Sequence, residues 1–183
     1  MGLALALPVA TWLIALLAPQ PASLYQKGAI VLGLLLAILA FAFRLSNLLP
    51  VYAAHAHLML TYALYAGAFA ARTTGWPTLW ALLVLVAAAG VLWWLWRSLA
   101  ELRESILLYA LLLLLALWQA LEMAVQQPAE IAAWAALVGM AIICLAALLE
   151  AQARFRPIRS GWGAAALPLL LIGHFAVAWS VWA

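Results

Sequence analysis

Charge is what this sequence has least of: Asp, Glu, Lys and Arg together supply 7% of its 183 residues, against 72% that are apolar. A soluble domain of this length cannot cover itself in water with so few charges. The outside of the molecule must then be as oily as its inside, which makes the chain an integral membrane protein. Cysteine is nearly absent. Cys144 stands alone inside an apolar segment, which excludes an intramolecular disulfide and CxxC-type zinc or iron–sulfur chemistry and leaves a packing role. A basic stripe set in polar surface is also missing, although the formal charge is +3. The one arginine cluster, Arg154, Arg156 and Arg159, suits anionic lipid and not nucleic acid. No nucleotide-binding glycine motif precedes a credible soluble fold, and no Ser/His/Asp arrangement can be drawn. Lys and Arg are absent ahead of the apolar run from Met1 to Ala18, so that run reads as a retained first helix and not as a signal peptide.

What is present is a series of seven apolar blocks, over about 3–18, 28–43, 51–70, 77–96, 105–123, 130–149 and 163–182. Each approaches the length a helix needs to cross roughly 30 Å of hydrocarbon. The runs Val31 to Phe43 and Leu107 to Leu117 lack the alternation of a lipid-facing barrel strand. The expected fold is therefore all-α: a single domain over 1–183 forming a seven-transmembrane-helix bundle. Pro50, Pro77 and Pro128 fall where a helix can open. Pro8 and Pro168 fall inside spans, where each removes a backbone donor.

Loop charge sets the orientation. Arg44, Arg97, Arg103, Arg154, Arg156 and Arg159 belong to the even-numbered loops, whereas the odd loops carry only Lys27 and Arg72. By the positive-inside rule the even loops face the cytoplasm and both termini lie outside, as in a multi-pass protein of a prokaryotic inner membrane. Trp93, Trp94, Trp96 and Trp162 mark one interface, and Trp76, Trp80, Trp179 and Trp182 the other. Small residues repeat every four positions at Ala29, Gly33 and Ala37, at Ala63, Gly67 and Ala71, and at Ala135 and Gly139. Such stripes let helix backbones approach closely in lipid.

Polar groups within the blocks are the candidates for chemistry. His55 and His57 are two residues apart and so diverge by about 200° around a helix. One of them can ligate a haem or metal while the other meets a neighbouring helix; both also fit as hydrogen-bonded structural histidines, and proton transfer is a third role. His174 lies in the last block, at a depth differing from that of His57 by roughly 9 Å, which counts against a shared haem. Thr61 follows His57 by four and Tyr62 follows His55 by seven, spacings that place them on the same faces as orienting groups. Arg44 is a topology anchor or a contact for a headgroup or a haem propionate. Glu122 and Glu130 flank one loop, where mutual proximity would create a proton entrance.

The segment His55-Ala56-His57-Leu58-Met59-Leu60 resembles the HAHxML signature of the NnrS family. More loosely, it resembles HAHLNLLGW segments in proteins related to subunit I of haem-copper oxidases. Leu58 stands where NnrS usually has Glu, and Thr61 or Tyr62 where Gly commonly follows. The resemblance implies an association with nitric oxide metabolism, haem or respiratory complexes, and it carries over to His55 and His57 alone. It leads to the expectation of a non-catalytic accessory subunit of a haem-copper-type oxidase or nitric oxide reductase. The partners would be a larger integral-membrane redox subunit and membrane lipid, with no nucleic acid. The alternatives are a haem-b-binding electron-transfer protein, with His55, His57 and His174 as candidate ligands, and a small proton-coupled transporter.

Overall fold

The computed structural model describes residues 2–19, 23–46, 51–74, 80–96, 103–155 and 162–182. Seven helices and no strand occur among them: α1 (Gly2–Leu17), α2 (Leu24–Ser46), α3 (Val51–Ala70), α4 (Trp80–Leu95), α5 (Arg103–Gln126), α6 (Ile131–Phe155) and α7 (Trp162–Trp179). Each expected block overlaps one of them. Three, α2, α5 and α6, are long and apolar enough to cross a membrane, whereas the apolar parts of α1 and α7 are shorter.

The helices outrun the apolar blocks wherever polar residues can still continue the backbone pattern. α2 begins four residues before its block and carries Arg44 within its last turn, where the negative end of the helix dipole favours a cation. α5 starts two residues early, so Glu104 belongs to its first turn. Pro128 precedes α6 by a short turn; the carbonyl of Glu130 accepts from the amides of Ala133 and Trp134, so Glu130 caps the helix from outside. Pro8 and Pro168 lie inside α1 and α7, as expected. Pro50 and Pro77 lie outside the described residues, as do Trp76, Arg97, Arg156 and Arg159.

Six helices close into a ring in which α1 packs on α2, α2 on α3, α3 on α5, α5 on α6, α6 on α7, and α7 back on α1; α4 lies against α5. The interior is filled by α3, whose Tyr62, Tyr65 and Phe69 are fully buried, with Ile30, Met123, Met140, Ile143 and Val177 around them. Large apolar side chains also cover the outside: Leu24 and Trp93 are each 85% exposed and Ile131 71%. Water would oppose such a surface at roughly 25 cal/mol per Å² of apolar area, and a bilayer would not.

Backbone approach is closest where glycine permits it. A methyl group on Gly139 would sit 2.8 Å from the Gly173 carbonyl oxygen and from the Val177 nitrogen. One on Gly33 would sit 2.7 Å from the Tyr65 ring. Thr61 closes the same α2–α3 contact, its hydroxyl lying 3.0 Å from the Gly33 carbonyl oxygen and 2.9 Å from that of His57, so one proton is shared between two acceptors. The small residues at 33 and 139 thus sit in helix contacts, and Gly173 completes the second.

Candidate functional site

The antiparallel run of helices brings the C-terminal ends of α2 and α6 beside the N-terminal ends of α3 and α5. A cavity of about 650 Å³ opens there. Its walls are mainly apolar, with Leu58, Met59, Ile106, Leu108, Ala147 and Ala151 among them. Its polar lining comes from all four helices: Arg44, His55, Glu104, Ser105, Tyr109, Glu150 and Arg154. The chain has five acidic residues in all, and two of them converge on this one space.

Arg44 and Glu150 form a two-pronged ion pair across α2 and α6, with both guanidinium arms donating to the carboxylate. About a third of each side chain is exposed, so the pair orients the cavity wall and adds only roughly 0–1 kcal/mol to stability. Arg154 lies one turn beyond Glu150 on α6, a spacing that keeps both on one face. Glu104 occupies the first turn of α5, where the helix dipole favours a negative charge. The His55 ring meets the Tyr109 ring edge-on at 5.9 Å, and the Tyr109 hydroxyl lies 3.3 Å from that of the buried Tyr62. A hydrogen-bonded tyrosine pair therefore backs the histidine from behind the cavity wall.

The three histidines occupy three separate settings. His57 packs on Phe43 of α2, with ring centroids 5.2 Å apart, while His55 faces α5, as their divergence around the helix requires. His174 is buried in α7 between Phe41 and Tyr65, with its Nδ1 2.8 Å from the Leu170 carbonyl oxygen. Among the described residues no three His, Cys, Asp or Glu side chains are grouped to hold a metal ion. Thr61 and Tyr62 bond to backbone carbonyls and to Tyr109, not to a histidine ring.

Glu122 and Glu130 bond to different side chains. The Trp118 indole donates to Glu122 at 3.0 Å, whereas Glu130 pairs with Arg72. Gln127 donates to the Arg72 carbonyl, and the Gln126 side chain accepts from the Thr74 amide. This end of the bundle is a polar latch between α3, α5 and α6.

Arg44 and His55 were legible in the sequence, Glu150 and Glu104 were not, and Arg154 was expected to meet anionic lipid. The usable signal was a carboxylate at the end of an apolar helix, four residues before an arginine and at the same end of the bundle as Arg44.

No curated protein and no solved structure matches the chain. The sequence profile of the YhhN family matches residues 3–181. That match runs through all seven helices and every residue of the cavity wall, and the chain belongs to the YhhN family.

Proposed function

We propose that this chain is a membrane-embedded enzyme that draws the head end of a lipid-like amphiphile into the α2–α3–α5–α6 cavity and hydrolyses the carbon–oxygen bond joining head to chain. One observation carries the reading: a single cavity combines an apolar wall with two carboxylates, two arginines, a histidine and a tyrosine at one end of an oily bundle. An acyl or alkyl chain fits the apolar wall, and Arg154 and Arg44 face the anionic part of a headgroup. Glu104 takes a proton from water as the water oxygen bonds to the chain carbon. The departing headgroup oxygen receives its proton from His55, which Tyr109 and Tyr62 hold in place.

In this reading the bundle crosses a prokaryotic inner membrane seven times, and an odd number of crossings puts the termini on opposite sides. With the even-numbered loops cytoplasmic, the N-terminus lies inside and the C-terminus outside, which corrects the expectation of two outer termini. The cavity then opens at the cytoplasmic headgroup level, where a lipid substrate already lies. The arginines on the even-numbered loops support that orientation.

The test is turnover of a panel of single-chain and two-chain phospholipids by the purified protein in detergent, followed by mass spectrometry of released heads and chains. Glu104→Gln and His55→Gln should each lower the rate by about 100-fold, the usual scale of a general acid or base. Equal rates in both variants and the parent, or no cleavage of any lipid, contradict the proposal.

A second reading has its own observation: His55 and Met59 lie one turn apart on the same cavity wall, with Arg44 and Arg154 nearby. There His55 would hold haem b and Arg44 and Arg154 would meet its carboxylates, and the group would supply electron transfer, whether the chain acts alone or beside the redox core of a haem-copper oxidase or nitric oxide reductase. A reducible Soret band lost in His55→Gln, or co-purification of such a core in mild detergent, favours it. A colourless protein that runs alone removes it.

A further inference from the structure

Between α1, α2 and α7, lined by none of the residues of the larger cavity, lies a second space of about 10 Å³, roughly the volume one water molecule needs. Its polar lining among the described residues is Thr11 and His174; Pro8, Leu34, Phe41 and Leu171 are among the apolar residues that complete it. Both polar residues are buried, at 5% and 3% exposure.

The bonding state of each is fixed by its neighbour. A carbonyl oxygen only accepts, so the 2.8 Å contact with Leu170 requires the proton of His174 on Nδ1. Nε2 is then a bare lone pair, and it is buried with no partner among the described residues. The Thr11 hydroxyl donates its only proton to the Leu7 carbonyl at 2.9 Å, so its oxygen also offers only lone pairs. Two acceptors cannot bond to each other. Nε2 left dry would be a polar atom buried without compensation, an unfavourable state deep in a bundle, while Thr11 Oγ1 has lone pairs to spare.

We infer that this space is a binding site for one internal water molecule, which donates one hydrogen to His174 Nε2 and the other to Thr11 Oγ1. The water joins α1 to α7 across the contact that closes the helix ring, where α1 carries Pro8 inside the helix. Tyr65 is the competing donor: its hydroxyl is buried without a partner and its ring centroid lies 5.9 Å from that of His174.

A high-resolution structure of the full chain in lipid decides between them. The expected result is a density peak within hydrogen-bond distance of both His174 Nε2 and Thr11 Oγ1, retained in Thr11→Ser and lost in Thr11→Val. An empty space, or a direct bond from the Tyr65 hydroxyl to Nε2, overturns the inference. Thermal denaturation in detergent gives a second measure: the midpoint losses of Thr11→Val and His174→Phe should exceed that of the double variant, summed, by about 3 °C. Strict additivity overturns the bridge.

Discussion

At the scale of single residues, glycine and polar contacts matter more here than apolar size. In lipid, apolar side chains gain nothing by leaving the solvent for the interior, so close backbone packing and hydrogen bonds must hold helices together. Gly139 and Gly173 meet backbone atoms that have no way to rotate aside. Gly139→Ala and Gly173→Ala should each lower stability by about 1–3 kcal/mol, read as a fall in the thermal midpoint of the purified protein. Gly28→Ala and Gly90→Ala, where an added methyl meets nothing within 4 Å, should hold the midpoint or raise it slightly, since alanine favours the helix. The four-residue spacing made Gly33 and Gly139 legible in the sequence. Gly173 was not, because its partner lies on another helix and no spacing along α7 announces it. His55 and His57 were legible as diverging. Which helices they meet depends on packing order, which α3 alone does not encode.

At the scale of helices, apolar length marked where each element lies, and polar residues at the ends concealed where it stops. α5 starts already at Arg103 and α6 runs on to Phe155, because a helix ends where its backbone finds other partners and not where hydropathy falls. That displacement matters for function, since Glu104 and Arg154 lie in those extensions and both line the large cavity. The opposite ends carry the Arg72–Glu130 latch. The two ends should therefore face opposite sides of the membrane. In right-side-out vesicles of a Cys144→Ala background, a cysteine at Thr74 should react with a membrane-impermeant maleimide, and a cysteine at Ser105 should react only after the vesicles are opened. Equal labelling of both positions in sealed vesicles contradicts the opposed ends.

At the scale of the whole molecule, six helices form a closed ring and the cavity opens between four of them, while α4 packs against α5 from outside. The all-helical architecture was legible from composition, because a chain this poor in charge has few ways to satisfy its backbone other than helices. The cavity was not legible, since its polar groups come from positions 44, 55, 104, 150 and 154 and only the ring order brings them together. The proposed activity requires that an amphiphile enter this cavity. Photo-crosslinking with a single-chain phospholipid that carries a photoreactive group beside its headgroup tests this directly, with adducts mapped by peptide mass spectrometry. Adducts concentrated on Met59, Ser105, Leu108 and Ala151, and displaced by excess unlabelled lipid, are the expected outcome. Adducts spread evenly over the outer faces of α1 and α4, with none in the cavity, would contradict it.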